Sequence, residues 1–248
     1  MKRVINFSGG KTSALMTILL KPTEDDYVIF CDTGREHPLT YKFIDDFERN
    51  EGIKVHRLVY VNKKQPDLKG FEAMNKSKVY LPNRVRRICT NELKVNVAKR
   101  FLRPLIGMAF EQYIGFRADE ESRVKNFRPS YIKSIAKFPL YDQGIDKEMV
   151  NQYWLMKPYT LEVPSILGNC DLCFLKGKNA IIRILQMYPG LADKWIADEE
   201  EMTARKNNGP ARYFSDITYR QLLNIAKSQK TLFDLQTIEP AFNCACTA

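Results

Sequence analysis

Phe7-Ser8-Gly9-Gly10-Lys11-Thr12-Ser13 is the stretch on which the reading of this chain turns. Arg3-Val4-Ile5-Asn6-Phe7 before it has the apolar run of a short buried strand, and Thr12 to Leu20 after it reads as an apolar helix. A tight polar turn between a strand and a helix leaves the N–H groups of the first helical turn without internal partners. The helix dipole favours an anion at the same place. Gly9 and Gly10 permit close backbone approach, Ser8 and Ser13 bring hydroxyl donors, and Lys11 adds a full positive charge. The loop is shorter than G-x-x-x-x-G-K-[ST], so its spacing is that of a different phosphate loop or of an ordinary Gly-rich βα turn.

Outward from this turn the first half alternates strand and helix. Tyr27-Val28-Ile29-Phe30-Cys31 is a second continuous apolar run, ending in Asp32-Thr33-Gly34. Residues 38–50 carry Tyr41, Ile44 and Phe47 at helical spacing. Residues 54–61 alternate as a third strand, 62–84 read as a long polar loop or lid, and 91–102 as a helix. Further strands are expected at 111–116 and 132–138, and a helix from an Asp146 N-cap to about Met156. Strand–helix alternation predicts a parallel sheet with helices on both faces, its ligand site beyond the carboxyl ends of the strands. The turns after strands one, two and four, the last at Gly115-Phe116-Arg117, should converge there. From about residue 168 onward helices dominate, over 180–188, 191–205 and 218–228. The division expected is therefore 1–167 and a helical, cysteine-bearing extension, 168–248.

Length and charge set the outer bounds. At 248 residues, 44% hydrophobic and 27% charged, the chain has the composition of a globular protein. No run reaches the roughly 18 apolar residues of a membrane span. The first strand begins almost at once, leaving no room for a signal peptide, so a cytoplasmic location is expected. The formal net charge of +10 asks for a polyanionic partner. Between Arg84 and Arg103 seven cations (Arg84, Arg86, Arg87, Lys94, Lys99, Arg100, Arg103) face Glu92 alone, which suits a nucleotide polyphosphate or nucleic acid.

Several side chains carry candidate chemistry. Asp32 stands past a hydrophobic strand opposite the phosphate loop, placed to orient Mg²⁺ or to close an Asx turn with Gly34. Cys89 follows Arg86 and Arg87 at the start of a helix, a setting that favours thiolate; a buried inert thiol is the alternative. Arg117 and Arg123 could clamp an anion bidentately or pair with Asp119, Glu120 and Glu121. Cys170-x-x-Cys173 and Cys244-x-Cys246 are two close thiol pairs, which together make a four-thiolate metal site, or else a redox pair and a tail. His56, within a strand, and Trp154 and Trp195 read as packing residues.

In order along the chain, Ser-Gly-Gly-Lys-Thr-Ser, Cys-Asp-Thr-Gly, Arg-Ile-Cys-Thr-x-x-Leu-Lys and Gly-x-Arg-Ala-Asp-Glu-x-x-Arg resemble the phosphoadenosine phosphosulfate (PAPS) reductase family of PP-loop proteins. The resemblance covers residues 1 to about 200 and implies the five-stranded, Rossmann-like sheet of the adenine nucleotide α-hydrolases. It implies that Ser8, Gly9, Gly10, Lys11, Thr12 and Ser13 hold phosphate, and that Asp32, Gly34 and Gly115 line the nucleotide site. Arg87, Lys94, Arg117 and Arg123 would surround the anionic end. Lys11, Asp32, Cys89 and Arg117 are the catalytic candidates. The implied ligand is ATP or a PAPS-type nucleotide, with Mg²⁺ and an iron–sulfur cluster or zinc on Cys170, Cys173, Cys244 and Cys246. Sulfonucleotide reductases carry a C-terminal Glu-Cys-Gly-(Ile/Leu)-His motif, whereas this tail is Phe-Asn-Cys-Ala-Cys-Thr-Ala. Three functions follow: cleavage of ATP to AMP and pyrophosphate with adenylation of an acceptor, sulfonucleotide reduction, or nucleotide-responsive binding without catalysis. Oligomers are compatible with each.

Overall fold

The structure is a computed structural model describing residues 1–105, 109–129, 133–168, 170–205 and 209–228. Strands β1 (Lys2–Asn6), β2 (Tyr27–Asp32) and β3 (His56–Val59) alternate with helices α1 (Lys11–Leu20) and α2 (Pro38–Glu51). A small antiparallel hairpin of β4 (Val61–Asn62) and β5 (Gln65–Lys69) leads into α3 (Gly70–Ser77). Then come α4 (Ile88–Thr90), a π-helical turn at Asn91–Val95, α5 (Asn96–Phe101) and β6 (Phe110–Tyr113). After α6 (Glu121–Lys125) and β7 (Ser134–Lys137) follow α7 (Pro139–Asp142) and α8 (Lys147–Leu155). The remaining helices are α9 (Lys178–Met187), α10 (Ala192–Arg205) and α11 (Tyr219–Ser228).

The main sheet has five parallel strands in the order β3-β2-β1-β6-β7. Central β1 sets Val4 opposite Tyr27 of β2 and Gln112 of β6. Strand order reverses between β1 and β6, where a doubly wound sheet opens its binding crevice. The period-two alternation of a strand divides the core. Ile5, Val28 and Phe30 face α1, α2 and α8, where they meet Met16, Phe43, Phe47 and Trp154. Val4, Ile29, Leu58 and Phe110 point the other way, into a cluster with Phe71, Leu93, Phe174, Trp195 and Tyr213. The C-terminal helices thus share a core with one face of the sheet. Each large apolar side chain fully buried there contributes about 1.5–3 kcal/mol.

The predicted helix over 38–50 and the Asp146 N-cap are present, the latter accepting from Met149 N at 2.9 Å. The third and fourth main strands are shorter than their alternation suggested. The segment expected to be an irregular lid instead holds the hairpin and α3, with Phe71, Ala73 and Met74 buried. Its polar composition belongs to the exposed face of β5, and the apolar residues of α3 are too few to show a helical period. Among the described residues no helix is long and apolar enough to cross a membrane. His37 caps α2 by accepting from Leu39 N, and His56 packs on Tyr27 and Phe101, as a structural histidine should.

Candidate functional site

The turn after β1 is closed by its serines. Ser13 Oγ accepts from Ser8 N at 3.0 Å and donates to Gly10 O at 3.0 Å, with Ser8 Oγ also 3.0 Å away. The Ser13 hydroxyl therefore shapes the loop from inside, and it is nearly inaccessible. Gly9 has a structural task too. Its φ is +76°, and a Cβ there would fall 2.8 Å from Thr40 Cγ2 and 3.2 Å from Phe30. The glycine that the sequence offered for close phosphate approach is required first for packing of the loop on α2. What the loop turns outward is the start of α1: Gly10 gives no side-chain cap, and the first turn carries no acidic residue. An uncapped ten-residue helix presents free N–H groups and a positive dipole end.

Lys11 and Arg117 add the charge. Lys11 is half-buried, and burial alone pulls its ammonium below the usual lysine pKa. Its carbonyl accepts from Trp154 Nε1 at 2.9 Å, so α8 fixes the first turn of α1. Arg117 Nη1 lies 3.5 Å from Thr12 Oγ1, while Nε and Nη2 hold the Asp119 carboxylate at 2.8 Å each. Glu120, buried beneath, accepts from Arg117 N and also pairs with Arg123. Arg123 lies 4.3 Å over the Phe116 ring. Arg117 thus meets the loop, and Arg123 backs it through a shared carboxylate. Gly115 lies against the loop: a Cβ there would stand 3.4 Å from Ser13 Cα, an ordinary contact.

Opposite stands the turn after β2. Asp32 Oδ1 accepts from Gly34 N at 2.8 Å and from Tyr41 Oη at 2.7 Å. Tyr41 Oη also lies 3.3 Å from Glu36, whose carboxylate accepts from Thr33 N and Oγ1. Burial pushes Glu36 up to about 7; the Thr33 bond and the Lys94 charge work against that shift, and Asp32 adds to it. The π-helical turn carries Lys94 toward this pair, and its carbonyl is 3.7 Å from Cys31 Sγ. Burial lifts the Cys31 thiol to about 11, so it is an inert core thiol. Arg87 precedes α4 and donates to Thr90 Oγ1 at 3.3 Å; Cys89, two residues on, is half-buried against the larger core cluster.

Cys170 and Cys173 lie beside the same turn, because Asp171 N donates to Arg35 O at 3.3 Å. Lys176, buried, donates to the Cys170 and Leu167 carbonyls, and Trp195 Nε1 holds Asp171 at 3.0 Å. A hydrogen bond from Cys173 draws the Cys170 pKa down, but burial and the charges of Asp171 and Glu36 leave it raised. Among the described residues no three His, Cys, Asp or Glu side chains form a metal-binding group. Cys244 and Cys246 lie outside the described residues. Sequence reasoning overlooked Glu36, Tyr41 and Trp154 as site residues. A carboxylate four positions after Asp32 was a usable signal for Glu36; the other two look like ordinary core aromatics until the fold brings them in.

The family model of the phosphoadenosine phosphosulfate reductase domain matches residues 2–160. An uncharacterized nin region protein of Escherichia phage lambda is 29% identical over 207 residues, covering 73% of this chain and 68% of its own length. An uncharacterized protein of Methanocaldococcus jannaschii is 28% identical over 216 residues; the match takes in 83% of this chain and 43% of that relative. Among solved structures, a phosphoadenylyl-sulfate reductase from Candida auris in a phosphate complex is 19% identical, with a TM-score of 0.45. That match covers 62% of this chain and 71% of the other.

Proposed function

The chain belongs to the phosphoadenosine phosphosulfate reductase domain family, and on that premise we propose that it is a PP-loop enzyme that binds ATP and cleaves it between the α- and β-phosphates. The observation carrying this reading is the uncapped start of α1, where Lys11 meets no opposing carboxylate among the described residues and Arg117 reaches Thr12. An acceptor nucleophile attacks the α-phosphorus, the bond to the bridging oxygen breaks, and pyrophosphate leaves with its charge held by Lys11 and the α1 N–H groups. Such donors act most strongly where charge builds in the transition state. The acceptor is left adenylated, and AMP departs when a second nucleophile displaces it.

Asp32 and Glu36 suit a hard cation, since both bonds to Asp32 engage Oδ1 and Glu36 faces it across Tyr41. Mg²⁺ held there would neutralise the phosphates and leave the protein to orient them. Cys170 and Cys173 would give two thiolates of a [4Fe–4S] cluster or zinc site, with Cys244 and Cys246 supplying the others. The second reading, sulfonucleotide reduction, is favoured by the closeness of the Cys170–Cys173 pair to the turn after β2.

Incubation with Mg-ATP and candidate acceptors should yield AMP and pyrophosphate in equal amounts. Lys11→Ala should weaken ATP binding by roughly ten- to a hundredfold, the ~1.4–3 kcal/mol of a charge-assisted hydrogen bond, without altering the melting temperature. Sulfite release from PAPS and a thiol donor, dependent on Cys89, Cys170 or Cys173, would transfer the assignment to the reductase reading. Nucleotide binding without either turnover would leave a binding module.

A further inference from the structure

A second cleft, of about 840 Å³, opens between the loop before Arg87 and the C-terminal helices. Among the described residues its walls carry Arg84, Arg86, Lys178 and Arg212 against one carboxylate, Asp216, which Lys178 already pairs. Asn83 builds the first wall: its Oδ1 accepts from Val85 N and Arg86 N at 3.0 and 2.8 Å. This Asx turn holds Arg84, Val85 and Arg86 outward, Val85 at 92% exposure. Arg86 lies 5.4 Å over the Tyr80 ring, and Arg84 reaches the Leu175 carbonyl at 3.5 Å, tying the wall to the cysteine loop. On the far wall Arg212 Nε is buried without a hydrogen-bond partner among the described residues, while the guanidinium charge is felt by Glu199 and Asp216.

Two more basic clefts occur among the described residues. Asn96, Lys99, Arg100 and Arg103 line one of about 550 Å³, and Arg100 also borders another, of about 780 Å³, that contains Lys63 and Lys64. The aromatics at the first cleft, Tyr213 and Phe214, are buried, which leaves no broad platform for stacked bases.

From this we infer that the cleft of Arg84, Arg86, Lys178 and Arg212 docks nucleic acid by its phosphodiester backbone, which would make nucleic acid the acceptor in the proposed reaction. The inference rests on that reaction for the word acceptor, but the docking itself needs no ATP. Binding of the full chain to a fluorescent oligonucleotide, single-stranded and as a duplex, should therefore be measured without nucleotide across a salt series. With about three phosphates neutralised, log K should fall against log salt with a slope of about −2 on the single strand. Arg84→Glu with Arg86→Glu should lose at least about tenfold in affinity at 100 mM salt and make the slope shallower by about 1.4, with ATP affinity unchanged. Arg84→Gln with Arg86→Gln should fall between the two. Oligonucleotide binding at parental strength in both pairs would overturn the inference, as would parallel loss of ATP binding or equal competition by polyglutamate, which would point to an acidic protein.

Discussion

Glu36 shows how much a single residue's chemistry depends on what surrounds it. In the sequence it is one carboxylate among 29 acidic residues. In the structure it is half-buried next to Asp32 and beneath Tyr41, and desolvation pushes its pKa up to about 7, well above the ordinary glutamate value. A carboxyl group protonated below pH 7 must lose its proton to hold a cation, so Mg²⁺ affinity should rise as pH climbs through about 7. Calorimetric titration of Mg-ATP from pH 6 to 8 should show that rise, and Glu36→Gln should flatten it while weakening binding at pH 8. An unchanged pH dependence in Glu36→Gln would remove the carboxylate from the cation site. Lys11 and Arg117 were legible as candidates because charge next to a glycine turn is a local pattern. Ser13 and Gly9 were assigned to phosphate on the same pattern, yet their geometry serves the loop itself.

Helix α3 carries the lesson for elements. Residues 62–84 looked like a lid because the mostly exposed residues of β5 precede a helix too short for its period to register. What makes α3 form is the turn after β2: Phe71 N donates to Thr33 O at 2.8 Å, and Gly70 N to Tyr60 O at 2.8 Å. Gly70 has φ +57°, and a Cβ there would lie 2.4 Å from Thr33 O. Gly70→Ala therefore combines left-handed strain with a backbone clash and should cost at least about 2 kcal/mol. Denaturant melts would read that loss, and ATP affinity should drop with it because Thr33 shares the turn with Asp32. A variant as stable as the parent would mean that the turn can shift without cost. The π-helical turn is similarly invisible in sequence, although it carries Lys94 to Glu36.

At the scale of the whole molecule the C-terminal helices are joined to the sheet by buried polar contacts as well as by their shared core. Arg35 lies 5.1 Å from the Trp195 ring and pairs with Asp198, and Glu199 accepts from Tyr213 N and Tyr219 N. Burial raises Glu199 to about 7 from an unfolded value of 4.5. Its contribution is therefore full below pH 4.5 and is lost as pH rises through 7. Thermal unfolding should show roughly 2 kcal/mol less stability at pH 8 than at pH 5 from this group, about 4–8 °C, and Glu199→Gln should abolish that part of the slope. By itself the sequence determined the strand–helix alternation, the glycine turn after β1 and the family, because each is written in contiguous residues and short-range periodicity. Tertiary structure alone decided that Trp154, 143 positions away, anchors Lys11, that Arg35 joins the cysteine loop to the turn after β2, and that Arg84 and Arg212 face one cleft. Those contacts come from packing across the sheet, where residues meet by the geometry of the layers, which no spacing along the chain records.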